Sequence, residues 1–349
     1  MSAATAILPA TASANKQITS LKWRMVLGAP RSFPVWGPGV SRFAANVEKM
    51  TAGRLKIRIY GAGELVPALE TFGAVQGGEV EMGHSAAYYW LGKVPASIFF
   101  CSVPFGMTAS CFTSWMEHGD GQTLWDELMA PHGVKSIPLG NTGYQMSGWF
   151  NKEINTIEDL KGLKIRIAGL ANQVYAKAGA VPVLLPGSEV FTGLSTGVID
   201  AVEWIGPYND YLLGFQRAAK YYYAGSWHEP GPSLELMINK KAWENLPDDL
   251  QSAVSICAAE TDRWMRSLWE AKNGEYLQKM KNEGIDIREM PVAVLRKLKE
   301  YSRDVMQELA DSSEIAARIV SSYSEFQKQF EQFQELSERA YHKAFRGSE

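Results

Sequence analysis

The sequence predicts an α/β protein of two lobes bridged by a long helix, and three observations carry that expectation. Its 349 residues suffice for two lobes, each with a sizeable core. A β–α–β pattern opens the chain, and a second α/β run begins near Asn141. Residues 248–284 keep one helical pattern long enough to lie across both lobes as a backbone.

The elements follow in order. Leu21, Trp23, Met25 and Leu27 alternate with Lys22, Arg24 and Val26, a first strand. Val40, Phe43, Ala44, Val47 and Met50 recur at helical spacing, and Gly53 is a C-terminal stop. Leu55, Ile57 and Ile59 alternate as a second strand. Gly61-Ala62-Gly63-Glu64 then turns into a short helix over 69–75. In the second run Thr156 or Asn155 caps one helical turn. The strand around Arg166 comes next, then a helix over 170–177, a strand over 181–185, a helix over 189–195 and a strand over 198–202. Residues 221–224 and 234–238 are later strands. In the long helix Asp248 caps the start, Gly284 ends it, and Trp264, Leu268, Ala271, Tyr276 and Met280 form the apolar stripe. The expected division is 15–140 plus about 230–247 for the first lobe. The second takes 141–229 plus part of 285–310, with helices over 313–346 closing the chain.

Composition narrows the function. Charged residues are 21%, hydrophobic ones 46% and the net charge is −3, an ordinary globular balance with no basic track for nucleic acid. Three cysteines, Cys101, Cys111 and Cys257, permit one bridge, Cys101–Cys111, but form no zinc motif. Residues 1–14 end in Ala12-Ser13-Ala14, an A-x-A cleavage pattern; they are a signal remnant or a small-residue tail.

Enzyme signatures are scarce: there is no G-x-S-x-G elbow, Walker loop or H-E-x-x-H, and Gly61-Ala62-Gly63 lacks the third glycine of a dinucleotide turn. His84 and His228 are either general bases or hydrogen-bonded structural residues. Arg166, on Leu163-Lys164-Ile165-Arg166-Ile167, offers a planar fork for a carboxylate. The alternation around it fits equally a half-buried strand whose charges face water. Gln145, Glu203 and Glu229 fall where binding loops are expected, and together suit an oxygen-only site for a hard cation.

Here the sequence resembles a known family. It is similar to the extracytoplasmic solute-binding subunits of the tripartite ATP-independent periplasmic (TRAP) transporters, and within them to the branch that binds 2-oxo acids and related monocarboxylates with a metal ion. The motifs are Gly61-Ala62-Gly63-Glu64-Leu65-Val66-Pro67, Tyr88-Tyr89-Trp90, Val103-Pro104-Phe105-Gly106, Gly140-Asn141-Thr142-Gly143, Trp149-Phe150-Asn151-Lys152-Glu153-Ile154, Leu160-Lys161-Gly162-Leu163-Lys164-Ile165-Arg166 and Ile199-Asp200-Ala201-Val202-Glu203-Trp204-Ile205-Gly206-Pro207-Tyr208. The resemblance implies a periplasmic-binding-protein-like fold with a central cleft. It implies that Arg166 grips the carboxylate, with Trp204, Tyr88, Tyr89, Asn141 and Gln145 around the organic acid. It also implies a cation, Na⁺ or Ca²⁺, held by Gln145, Glu203, Glu229 and the Trp204 carbonyl. Trp227-His228-Glu229-Pro230 departs from the glycine-rich stretch expected there. The implied partners are a small monocarboxylate and the membrane permease, and the implied location is periplasmic. The rivals are a metal-assisted enzyme acting on a 2-oxo acid and a ligand-presenting sensory receptor.

The segment 321–345 places Phe326, Phe330, Phe333, Leu336, Ala340 and Ala344 on one helical face. That face either folds onto its own body or docks on a second subunit, making a homodimer through the C-terminal helix.

Overall fold

The computed structural model describes residues 20–345. The tail over 1–14 lies outside the described residues. The first strands are β1 (Leu21–Leu27), β2 (Leu55–Tyr60), β3 (Met82–Ser85), β4 (Val134–Asn141), β5 (Gly148–Phe150) and β6 (Lys164–Arg166). They are followed by β7 (Val181–Val183), β8 (Ala201–Val202), β9 (Tyr221–Ala224), β10 (Ser233–Asn239) and β11 (Asp286–Glu289).

These strands form two sheets. One has the order β2-β1-β3-β10-β4, the other β11-β9-β5-β8-β6-β7. In the first, β1 pairs parallel with β2 and β3, as a β–α–β opening requires, and β10 runs antiparallel between β3 and β4. The chain passes to the second sheet between β4 and β5 and returns between β9 and β10. The helix Asp248–Asn282 then packs on β4 and on helix Trp36–Met50 of the first sheet and on helix Pro207–Leu213 of the second. The fold is thus the two-lobed α/β arrangement that the pattern implies.

Several local expectations need correction. The buried stripe of the long helix is Leu250, Val254, Cys257, Thr261, Met265 and Trp269, with Met280 beyond. Trp264 and Leu268 are half-buried and Ala271 is exposed, so the expected stripe is displaced by one residue. The physical reason is that Trp264 covers the neighbouring Arg42 guanidinium at 5.3 Å rather than entering the core. Pro247, not Asp248, precedes the first turn, and Asp248 and Asp249 sit inside it, facing the positive helix end. The strand over 198–202 shortens to Ala201–Val202, because Val198 lies 62% exposed before the sheet begins. All three cysteines are free and buried.

The core is aromatic. Phe100 stacks between Trp115 and Trp125, with ring centroids at 5.5 and 4.9 Å, and Trp149 stacks on Tyr222 at 4.2 Å. The first half of helix Glu314–Leu336 joins this core. There the Tyr323 hydroxyl accepts the Met107 amide at 2.7 Å, and Trp115 Nε1 donates to Ser322 at 3.1 Å. Past Phe330 the same face is open: Phe333 and Leu336 are exposed, as are Tyr341 and Phe345 of helix Glu338–Phe345.

One buried carboxyl in the first sheet has a consequence for stability. Glu235 on β10 accepts the Ser136 hydroxyl, and its other oxygen has no partner among the described residues. Burial pushes its pKa up to about 8. The folded state therefore holds a proton that the unfolded chain releases near the ordinary glutamate value of about 4.3. Its contribution is fully present below that value and is lost as pH rises through about 8, at about 1.4 kcal/mol per pH unit within the window. Melting curves between pH 5 and 8 are expected to fall less steeply for Glu235→Gln than for wild type; parallel curves would contradict this.

Candidate functional site

Both passages between the sheets carry polar side chains, and they converge. Gln145 lies on the outgoing passage and Glu229 on the return, while Arg166 ends β6 and Glu203 follows β8. All four are buried, Arg166 at 2% exposure and Glu203 at 1%. The β6–β8 pairing sets Arg166 beside Val202, one residue before Glu203. Arg166 Nη1 donates to the Glu203 main-chain carbonyl at 2.8 Å and lies 3.5 Å from its Oε2. Nε donates to the Leu185 carbonyl at 3.5 Å, and no described residue accepts from Nη2. The guanidinium stacks on the Trp204 ring at 4.3 Å. The water-facing alternative for Arg166 is thereby settled: Lys164 is exposed at the strand's outer end and Arg166 is not.

Oxygen atoms gather around this cation. Glu203, His228 and Glu229 each present an atom within 4.8 Å of the others. Gln145 Oε1 and Glu203 Oε1 are buried without a hydrogen-bond partner among the described residues. Burial first, and then the neighbouring Glu203, push the Glu229 carboxyl well above the usual range, against the opposing pull of Arg166 and the Gln145 side chain. Two buried carboxylates and an orphaned amide oxygen are the donor set that a hard cation satisfies. The residues therefore fit a Ca²⁺ or Na⁺ ion.

The passages are laced together beside these donors. The Gln145 amide donates to Ser226 Oγ at 2.8 Å, and Ser226 Oγ donates to the Glu229 carbonyl at 2.7 Å. Ser147 Oγ donates to the carbonyls of Ala224 and Gly225 at 2.9 and 2.6 Å. Gln145 Nε2 donates to Thr142 Oγ1 at 3.1 Å, leaving Oε1 toward the site. Asn141 spans the same gap: its amide donates to the Gly231 carbonyl at 3.0 Å and its oxygen accepts the Gly143 amide at 2.9 Å. Gly148 makes the close passage possible, since at φ +115° a Cβ there would lie 2.3 Å from the Val202 carbonyl oxygen.

Other groups stand behind the cluster. Asp210 accepts the Ile205 and Gly206 amides at 3.2 and 3.1 Å, the Tyr222 hydroxyl at 2.9 Å and Trp149 Nε1 at 3.2 Å. It fixes the loop that carries Glu203 and Trp204, and burial pushes its pKa up to about 7. His228 Nε2 lies 3.2 Å from Glu203 Oε1 without a formed hydrogen bond. His84 sits apart: its Nε2 donates to the Leu139 carbonyl at 2.6 Å, and burial lowers its pKa to about 4, so it is a neutral structural residue. Tyr88 and Tyr89, edge to face at 4.7 Å, reach the cluster from the first sheet. With Ile167, Gly169, Asn172 and Leu184 they border an opening of about 230 Å³. A groove of about 440 Å³ between Phe112, Ile137 and Arg266 lies elsewhere and gathers none of these buried donors.

Sequence reasoning missed Ser226, Asp210 and the contact of His228 with Glu203. Only His228 carried a local signal, its position next to Glu229.

Comparison with known proteins shows which family the chain resembles. A monocarboxylate 2-oxoacid-binding periplasmic protein of Nostoc sp. is 38% identical over 331 residues, 95% of this chain and 91% of that one. A TRAP periplasmic solute-binding protein of Colwellia psychrerythraea, solved with bound calcium and pyruvate, is 39% identical, covering 93% of this chain and 100% of its own, with a TM-score of 0.91. One from Pseudoalteromonas atlantica, solved with bound sodium and pyruvate, is 40% identical over 93% of this chain and 99% of its own, also at 0.91. The model of the DctP family, bacterial extracellular solute-binding proteins of family 7, matches residues 29–313, and the chain belongs to that family.

Proposed function

We propose that this chain is the extracytoplasmic receptor of a TRAP transporter, capturing a small 2-oxo or 2-hydroxy monocarboxylate together with Ca²⁺ or Na⁺. The observation that carries the reading is the buried Arg166 guanidinium, stacked on Trp204, facing two buried carboxylates that it cannot balance alone. Arg166 holds the ligand carboxylate. Gln145, Glu203, Glu229 and the Trp204 carbonyl hold the cation, and Tyr88 and Tyr89 cover the ligand from the opposite lobe.

The charges require the ion. Arg166 brings one positive charge, while the ligand and the two glutamates bring three negatives between them. The sum is two negatives, which Ca²⁺ would neutralise and Na⁺ would reduce to one; either ion would polarise an oxygen on the carbon next to the carboxylate. Without an ion, burial and the neighbouring Glu203 push the Glu229 carboxyl well above the usual range. Closure of the lobes removes water and strengthens every one of these attractions. The ligand is then handed to the membrane permease from the periplasm. The family and its neighbours are transport receptors, which favours capture over catalysis.

Calorimetry with pyruvate and propionate tests this. Pyruvate has the second oxygen and propionate lacks it, so pyruvate is expected to bind at least tenfold tighter, and chelation of the ion is expected to erase the difference. Equal affinities in calcium would remove the ion bridge.

The open face of Phe333, Leu336, Tyr341 and Phe345 supports a homodimer through the C-terminal helices. Truncation before Phe333, which spares the docked half of the helix, is expected to halve the mass seen by light scattering, and a full chain that is monomeric at high concentration would end that part of the proposal.

A further inference from the structure

We infer that Phe105 is a positioning residue for the ion: through it, the C-terminal helix Glu314–Leu336 fixes the segment that carries Glu229. The inference rests on the ion site proposed above. Its own evidence is the stretch Val103-Pro104-Phe105-Gly106, which supplies no donor to that site and yet has a strained backbone. Phe105 has φ +57°. A bulky aromatic residue rarely takes that conformation, which persists only where the surroundings hold it.

The surroundings of Phe105 hold it from two sides. On one side its amide donates to the Trp227 carbonyl at 2.6 Å, and its ring lies 5.5 Å from the Trp227 indole. On the other side the C-terminal helices grip each residue from 104 to 107. Ser302 of helix Val292–Ala310 donates to the Pro104 carbonyl at 3.3 Å. Gln327 Nε2 donates to the Phe105 carbonyl at 3.1 Å. A Cβ at Gly106 would collide with the Tyr323 hydroxyl, which also accepts the Met107 amide. Phe105 thus presents its N–H to the return passage and its C=O to a helix.

Trp227 connects this contact to the ion. Its carbonyl belongs to the peptide that joins it to His228, and Glu229 is the next residue. Phe105 fixes that peptide from the first lobe, while Ser226 Oγ ties the Glu229 carbonyl to the Gln145 amide. The direction of the Glu229 carboxylate is therefore set from both ends of the span 227–229, and one of those ends depends on Gln327 through Phe105. Gln327 itself bonds to no ion donor: its other partner among the described residues is Glu331 at 2.9 Å. Replacing Gln327 therefore alters the support and leaves every donor in place. Partners that orient a metal ligand are worth about 10–100-fold in metal affinity.

Titration of the full chain with calcium and with sodium, in the absence of organic acid, tests this. The ion-induced rise in melting temperature and native mass spectrometry read the binding. Phe105→Ala and Gln327→Ala are each expected to weaken ion binding by about tenfold. Phe105→Tyr keeps the ring and the amide, and is expected to bind the ion as wild type does. A contact that serves folding alone would lower the melting temperature without ion and leave the ion affinity unchanged. Unchanged ion affinity in a folded Phe105→Ala protein overturns the inference. Unchanged affinity in Gln327→Ala also overturns it, because the helix then has no hold on the site. If wild type retains neither ion, the ion-site reading itself fails, and Phe105 has nothing to position.

Discussion

Arg166→Ala is expected to weaken capture of any monocarboxylate by about 2–5 kcal/mol, roughly 30-fold to 5,000-fold. The size of the loss follows from burial. The guanidinium is 2% exposed, so water does not replace it at the carboxylate. Its removal also leaves Glu203 and Glu229 without their neighbouring cation, and the ligand would bring a further negative charge. Arg166→Lys separates charge from geometry. An ammonium keeps the charge but loses the planar fork and the stacking on Trp204, so most of the loss is expected to remain. Calorimetry measures both variants, and a circular dichroism melt shows whether they are folded. A folded Arg166→Ala protein that binds pyruvate as wild type does would remove Arg166 as the anchor.

Glu203→Gln is expected to have the second largest effect, on the ion. Glu203 lies under the guanidinium and beside His228, with Oε1 free of a hydrogen-bond partner among the described residues. Loss of a partner that merely orients a metal ligand costs about 10–100-fold in metal affinity. Loss of a charged donor is expected to exceed that. Calcium titration followed by native mass spectrometry reads the ion directly, without requiring ligand. The variant is expected to retain less calcium than wild type at every concentration tested. His228→Ala is the graded control: it keeps both carboxylates and removes only the group that faces one of them. An unchanged calcium affinity in Glu203→Gln would place the ion elsewhere.

The fold was legible where periodicity and punctuation agreed. The β–α–β opening, the helix Leu170–Lys177 and the long helix after Pro247 all follow from alternation, helical spacing and glycine stops. The burial of Arg166 was not legible from spacing. A period of two distinguishes the faces of a strand, but β6 lies between β7 and β8 and helices cover the sheet, so the face that carries a charge is also enclosed. What brought Arg166 forward was the resemblance of the surrounding motifs. The meeting of Gln145 with Glu229 was equally hidden. They are far apart in sequence and become neighbours because two separate passages cross between the same two sheets. Ser226 and Asp210 escaped notice for a simpler reason. A serine in a loop and an aspartate near a helix start are everywhere in sequences, and only the distances reveal what they hold. The C-terminal stripe was expected on one continuous helix, but the helix breaks at Ser337, and periodicity could not show that Phe326 and Phe330 pack on the core while Leu336 does not.

The placement of the ionic donors on the connecting segments bears on the economy of transport. In any opening motion, points near the pivot travel least and points far from it travel most. Gln145 and Glu229 belong to the connecting segments, and Glu203 follows β8 of the second sheet, with His228 Nε2 at 3.2 Å from its Oε1. Tyr88 and Tyr89 ride on the segment that follows β3 in the opposite sheet. If the halves pivot about these segments, Gln145 and Glu229 would shift less than the aromatic cover. An ion seated there would then lose fewer of its donors on opening than a ligand gripped from both sides.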